Sequence, residues 1–191
     1  MTEFRNAASH ILTPQTSVLL IIDPQTKLMP VIVEADRVVK NCVLLLKLSE
    51  VLSIPAIVTT QYTKGLGPLV PEVGCVSPGT TPLDKTTFGC FGDANFVARL
   101  KEVSKGRDTL LAAGVESHVC VAQTVLAALN SGYAVHVAGD ATSSRTRENW
   151  EAGLHRMDRA GAVLSTTEMM IYELLGKSGT PEFKAMLPLL K

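Results

Sequence analysis

Leu110-Leu111-Ala112-Ala113-Gly114-Val115-Glu116-Ser117-His118-Val119-Cys120, running on into Val121-Ala122-Gln123-Thr124-Val125-Leu126-Ala127-Ala128-Leu129, reads as a strand, a tight turn and a helix. The first four residues are apolar without polar alternation, the pattern of a strand covered on both faces. Cys120 falls at the start of the helix. The first turn of a helix has unpaired N–H groups and a partial positive charge, so a thiol there is expected to ionise more readily than free cysteine, with its pKa of about 8.5. The same N–H groups can hold an oxyanion. The competing reading is inert packing, because unpaired cysteine is among the most buried residue types. Which reading applies depends on what else reaches Cys120.

Working outward, Ser17-Val18-Leu19-Leu20-Ile21-Ile22 is a second continuous apolar run, ended by Asp23-Pro24. Residues 34–52 carry Val38, Val39, Cys42, Leu45 and Leu46 at helical spacing, and Ser53 with Pro55 stops the helix before the run Ala56-Ile57-Val58-Thr59-Thr60. This is a βαβ unit. Residues 61–87 are rich in Gly, Pro and Thr and have no clear period, which is long for a connection and marks a functional loop. Residues 93–105 return to helical spacing, followed by a strand at 109–113, the helix after Cys120 with Gly132 as its stop, a strand at 134–138, a helix at 146–160, a strand at 162–165, and helices near 168–175 and 181–189. Strands alternating with helices predict one α/β domain over residues 1–191. The expected fold is a three-layer α/β/α sandwich around a Rossmann-like, mainly parallel sheet of five or six strands. Ligands of such sheets bind outside the carboxyl ends of the strands, where the strand order reverses. Asp23 and Cys120 both follow carboxyl ends. Were their strands neighbours at that point, both side chains would face one crevice.

Composition narrows the function. The 191 residues balance 18 Lys+Arg against 18 Asp+Glu, and no basic stripe could track phosphates, so nucleic acid is not an expected partner. Cysteines at 42, 75, 90 and 120 form neither a CxxC pair nor a disulfide framework, which suits a reducing, cytoplasmic compartment. No hydrophobic run is long enough for a membrane span, and residues 1–15 lack the apolar core of a signal peptide. A hydrophobic content of 46% exceeds the need of a solvated monomer. Together with Phe183, Met186, Leu187 and Leu190 at helical spacing after Pro181, it leaves two readings: a terminal helix docked back on its own sheet, or an apolar face closed in a homo-oligomer, a dimer or tetramer, with residues 61–87 near an interface.

A cysteine hydrolase also needs a base and a positive group. Lys85 lies in Asp84-Lys85-Thr86-Thr87-Phe88-Gly89-Cys90-Phe91, flanked by aromatics in a chain with 5% of them. An apolar strand ending in Asp23, Lys-x-x-Phe-x-x-Phe at Lys85 to Phe91, Gly-Val-x-Ser-x-x-Cys-Val at Gly114 to Val121, and Gly-Tyr-x-Val-x-Val-x-x-Asp-Ala at Gly132 to Ala141 occur in that order along nearly the whole chain. The sequence resembles the isochorismatase-like cysteine hydrolase superfamily. Thr60-Gln61-Tyr62, Gly65-Leu66-Gly67-Pro68, Val70-Pro71-Glu72 and Asp140-Ala141-Thr142-Ser143-Ser144-Arg145 look especially like the eukaryotic isochorismatase domain-containing proteins.

The resemblance implies a catalytic triad of Asp23, Lys85 and Cys120. It also implies a cis peptide between Val115 and Glu116, costing about 3 kcal/mol, and an oxyanion hole from the amides of Glu116 and Cys120. Acyl transfer from a small-molecule amide or related carbonyl substrate follows, with no cofactor. Gln61 and Tyr62 are candidates for substrate contact, and Phe88 and Phe91, with Cys90, for an apolar wall. His118 is read as pocket wall or surface, since residues two apart do not face each other. Arg145 and Arg147 are either surface residues or reach for an anionic substrate. Nicotinamidases of the superfamily hold a metal on aspartate and histidines near the second strand. Here that region is Thr59-Thr60-Gln61-Tyr62, with no histidine between His10 and His118, so no metal site is expected. True isochorismatases lack the nucleophilic cysteine, and the presence of Cys120 argues against their reaction. The alternatives are a non-catalytic binding or scaffold member of the fold and a ribonuclease.

Overall fold

The computed structural model describes residues 11–76 and 81–190; residues 1–10, 77–80 of the long connection, and 191 lie outside them. In chain order the strands are β1 (Ser17–Ile22), β2 (Ala56–Gln61), β3 (Leu83–Lys85), β4 (Thr109–Val115), β5 (Ala134–Ser143) and β6 (Val163–Ser165). The helices are α1 (Ala35–Val51), α2 (Thr63–Leu66), α3 (Pro71–Cys75), α4 (Ala94–Ser104), α5 (Ala122–Asn130), α6 (Arg147–Arg159), α7 (Thr167–Leu175) and α8 (Pro181–Met186). The strands make one six-stranded sheet in the order β3-β2-β1-β4-β5-β6, with every pairing parallel.

The unbroken apolar runs are buried on both faces because successive side chains leave the sheet in opposite directions. Leu19 and Ile21 of β1 join one core with Val38, Cys42 and Leu45 of α1 and Met170 and Ile171 of α7. Val18, Leu20 and Ile22 join the other, with Phe96 and Leu100 of α4, Val125 of α5 and Met157 of α6. This is the expected three-layer α/β/α sandwich. From β1 the chain moves outward first to β2 and later, on the other side, to β4, so the order reverses between β1 and β4 and a crevice opens above their carboxyl ends.

Three details go beyond the reading of the sequence. The stretch at 61–87 contains α2, α3 and the edge strand β3, whose Leu83, Asp84 and Lys85 pair with Thr59, Thr60 and Gln61. Three residues, two of them charged, carry no strand periodicity, although charge is usual on an edge. β5 also runs on past Gly139 and Asp140 to Ser143, because the ladder shifts register between Ala112 and Gly114 and resumes as Gly114 with Thr142 and Val115 with Ser143. Lastly, α8 folds back on its own chain. Met186 is fully buried, and Phe183, Leu189 and Leu190 pack against the α1 side of the core. The apolar face is therefore largely covered internally, the first of its two readings. No helix among the described residues is long and apolar enough to cross a membrane.

Candidate active site

Asp23 follows β1 directly, with φ of 56°, in the left-handed region that aspartate tolerates better than most residues. Its N–H donates to the Thr59 carbonyl at 3.2 Å, so the turn is still tied to β2. The carboxylate has two partners: Oδ1 accepts from the Thr59 hydroxyl at 2.7 Å, and Oδ2 accepts from Lys85 Nζ at 2.7 Å. Asp23 is 0% and Lys85 2% exposed. Lys85 arrives there because β3 seats it beside Gln61, at the carboxyl end of the sheet. Its ammonium also donates to Gln61 Oε1 at 2.7 Å and to the Phe88 carbonyl at 3.1 Å. An ammonium has three protons, and all three are used. Such full satisfaction is what a buried ion pair requires to offset its desolvation.

Gln61, a candidate for substrate contact, holds Lys85 in place. Its Oε1 is taken by the ammonium and its Nε2 donates to the Thr86 carbonyl at 2.9 Å. Its backbone is in turn clamped by Gln25, a residue that no local sequence pattern singles out. Gln25 Oε1 accepts from the Gln61 N–H at 2.7 Å, and Gln25 Nε2 donates to the Gln61 carbonyl at 3.2 Å and the Gly67 carbonyl at 2.7 Å. A fully buried glutamine one residue past Asp23-Pro24 is a signal only once its burial is known.

On the other side of the crevice, β4 ends at Val115 and the chain enters a π-helical turn at Ser117–Val121, closed by the Val121 N–H donating to the Glu116 carbonyl at 3.2 Å. Single π turns of this kind recur at functional sites. Cys120 is its fourth residue, one step earlier in geometry than a regular helix start. Two glycines permit this. Gly114 has φ of 123°, and a Cβ there would lie 2.1 Å from the Ile22 carbonyl oxygen, while a Cβ on Gly153 of α6 would lie 2.7 Å from the Ser117 backbone. The Ser117 hydroxyl pins the turn by donating to the Ser143 carbonyl at 3.0 Å. The expected cis peptide between Val115 and Glu116 is not present: all peptide bonds among the described residues are trans, and Glu116, at φ −31° and ψ 104°, makes the bend itself.

The expectation of an easily ionised thiol is also corrected. Cys120 is 3% exposed, and burial pushes its pKa well above the ordinary thiol range; the negative charge of Asp23 and a hydrogen bond to that carboxylate push it further, while Lys85 opposes. The thiol is held protonated, beside the group able to take the proton. Burial likewise raises Cys90 to about 11 and Cys42 to about 12. Cys90 and Cys120 are joined through Thr124, whose hydroxyl accepts from the Cys90 N–H at 3.0 Å and donates to the Cys120 carbonyl at 2.7 Å.

The remaining candidates divide. Phe88 supplies its carbonyl to Lys85 while its residue stays 57% exposed at the rim. Tyr62 is 53% exposed and lies against Gly65 of α2. Phe91 is spent on packing, with its ring 5.5 Å from Phe96 and 6.3 Å from Tyr133. His118 Nδ1 lies 3.0 Å from the Ser144 hydroxyl, so it faces β5 and not the thiol's proton acceptor. Arg145 Nε donates to Glu116 Oε1 at 2.5 Å, and Arg147 pairs with Glu34 at 2.8 Å on the surface. Among the described residues no group of three or more His, Cys, Asp or Glu side chains could hold a metal ion.

A doubly wound parallel sheet with a buried carboxylate–ammonium pair and a thiol at its switch point places the chain among α/β proteins with a candidate site at the carboxyl ends of the strands. Residues 17–169 match the family model of the isochorismatase domain. The chain is 35% identical to mouse isochorismatase domain-containing protein 2A over 181 residues, covering 93% of this chain and 84% of the mouse protein. Among solved structures it resembles the MAR1 ribonuclease from Caenorhabditis elegans (TM-score 0.87, 35% identity, 95% and 92% coverage). It also resembles YcaC from Pseudomonas aeruginosa, solved with hexane-2,5-diol and covalent acrylamide (0.87, 28%, 95% and 92%). A third neighbour is the Escherichia coli YcaC gene product, described as an octameric hydrolase of unknown specificity (0.87, 28%, 94% and 88%). The chain belongs to the isochorismatase family.

Proposed function

We propose that the protein is a cysteine hydrolase that cleaves the C–N bond of a small amide or related carbonyl compound through an acyl-enzyme on Cys120. The observation that carries this reading is the buried carboxylate of Asp23, ion-paired to Lys85 at 2.7 Å, with its charge acting on the buried Cys120 thiol. As Sγ attacks the carbonyl carbon, Asp23 takes its proton, and Lys85 compensates the charge that passes from carboxylate to sulfur. The oxyanion is received by the amides of Glu116 and Cys120, with about 3–4 kcal/mol per donor at stake in hydrolases of this kind. Asp23 then protonates the departing amine, the C–N bond breaks, and water hydrolyses the thioester with Asp23 again as base. No metal or cofactor enters. The covalent acrylamide of the P. aeruginosa relative supports only the presence of a reactive nucleophile in a protein of this fold, since its alkene can be attacked with the amide left intact.

A panel of small amides, carbamoyl compounds and nitriles read out by ammonia release tests the reading. Release by the native chain but not by Cys120→Ala is the expected result; ammonia from both would overturn it. A chain that releases none while Cys120 still alkylates would be a binding member of the fold. The ribonuclease name of the C. elegans neighbour has no favouring observation here, because charge is balanced and Lys85 has no proton left for a phosphate. RNA is expected to survive incubation with the protein.

We also propose that the chain assembles with copies of itself. An open groove of about 800 Å³ along α1, lined by Val39, Val43 and Leu44 with Met29, Val70 and Leu189, supports this better than α8 does, as does the octameric E. coli relative. Light scattering is expected to report a particle larger than one chain.

A further inference from the structure

We propose that the site selects substrates that are electrically neutral at the acyl group, and rejects amides whose acyl part carries a carboxylate. The inference rests on Cys120 being the nucleophile and concerns what its surroundings leave available. The ion pair beside the thiol, Asp23 with Lys85, is already matched. Lys85 has three acceptors for its three protons, at 2.7, 2.7 and 3.1 Å, so it has no donor for a ligand unless the Asp23 pair is broken. Arg145, reached from the His118–Ser144 contact at the rim, is bound to Glu116 Oε1 at 2.5 Å. Its residue partner is the one whose backbone opens the π turn, so the carboxylate of Glu116 stands at the mouth of the turn with its guanidinium.

Apart from the Thr124 hydroxyl on its carbonyl, Cys120 is packed among apolar side chains. Cys120 belongs to the cluster built from Ile22, Ala112, Val121, Phe96 and Cys90. An added carboxylate beside the thiol would leave water, find no free Lys85 proton and meet the charge of Asp23, and an unpaired ion in such a place is strongly disfavoured. A neutral amide loses much less, because its carbonyl oxygen goes to the backbone donors of the turn and its small apolar part to the cluster.

Two alkylating reagents of nearly equal size test this without knowledge of the natural substrate. Iodoacetamide is neutral and iodoacetate is an anion. With each, the Cys120 sulfur forms a bond to the methylene carbon, the carbon–iodine bond breaks, iodide leaves with the electron pair, and the thiol proton passes to Asp23 and then to buffer. The rate at Cys120, located by peptide mass spectrometry, is measured for both reagents at one pH and divided by the same ratio for 2-mercaptoethanol, so that thiol acidity cancels.

The expected result is a preference for iodoacetamide of about tenfold or more over the free thiol's own ratio. A ratio equal to that of the free thiol, or one favouring iodoacetate, would overturn the proposal. If neither reagent reaches Cys120 while exposed Cys75 reacts, the nucleophile assignment falls and this inference with it. Two variants read the Glu116–Arg145 pair in opposite directions. Glu116→Gln releases Arg145 and should move the ratio toward iodoacetate, and Arg145→Gln exposes Glu116 and should move it toward iodoacetamide, each by about fivefold as befits a partly solvated charge. Unchanged ratios in both would overturn the role assigned to that pair.

Discussion

The two banks of the crevice are built on different principles. On the β1–β2–β3 side, Asp23, Gln25, Thr59, Gln61 and Lys85 form a polar network inside the protein, joined by hydrogen bonds mostly of 2.7 Å, with every Lys85 proton spoken for. On the β4–β5 side, Cys120 is carried by a backbone device, a π turn made possible by Gly114 and Gly153 and set in an apolar cluster. The first bank holds charge still; the second holds a neutral thiol against it. The proposed nucleophile needs both. Cys42 has only the second: it is as buried as Cys120 and its pKa is likewise raised, to about 12, but its hydrogen bond goes to the Ala141 carbonyl at 3.8 Å, with no Asp–Lys pair beside it.

The largest effect is expected on the thiol bank. Cys120→Ala should lower hydrolysis by about 10⁴-fold or more while the melting temperature stays within a few degrees, because removing one sulfur from a nucleophile leaves little of the chemistry. Steady-state ammonia release and calorimetry check both halves. Persistent turnover would move the nucleophile elsewhere.

Next comes the joint between the banks. Asp23→Asn should reduce turnover by about 10²–10⁴-fold, the usual worth of a general acid–base group. Alkylation should respond in the opposite sense. The Asp23 charge raises the Cys120 pKa, so its removal beside Lys85 lowers it, and the iodoacetamide pH profile should shift to lower pH, with faster reaction near neutrality than in the native chain. A profile displaced to higher pH would show that the banks are coupled in some other way.

The polar bank is then tested by stability. Lys85→Met strands the Asp23 carboxylate in the interior, and breaking a buried pair from one side costs about 3–5 kcal/mol. Denaturant unfolding measures it; a cost under about 1 kcal/mol would mean that the pair is wetter than its 0–2% exposure indicates. Gln25→Leu removes the clamp on Gln61 and leaves its N–H and carbonyl unpaired, at about 1–3 kcal/mol. Since Gln25 acts through Gln61 and Lys85, kcat should fall more than KM changes. The smallest effect, none, is expected from dialysis against a chelator, because the region from Thr59 to Tyr62 offers no histidine ligand.

Much of this was legible along the chain. Continuous apolar runs at Ser17–Ile22 and Thr109–Val115 dictated buried parallel strands, and residue spacing placed α1, α4, α5 and α6 within a residue or two of their ends. Asp23 and Cys120 could be placed at carboxyl ends because strand termination is a local property of sequence. Lys85 was reachable only by family resemblance, since a three-residue edge strand has no period to read.

Tertiary structure decided what local pattern cannot encode. The close passage of Gly114 over Ile22, the Gln25 clamp on Gln61 and the burial that keeps Cys120 protonated beside Asp23 all depend on partners far away in sequence. A thiol at the opening of a helix is acidic by the local rule, because the unpaired N–H groups favour its anion. Folding brought it out of water and against a carboxylate, and desolvation and like charge outweighed the helix. The identities of the proposed reacting groups are thus written in the sequence, and the protonation of the thiol is set by the low-dielectric neighbourhood that only the packed fold creates.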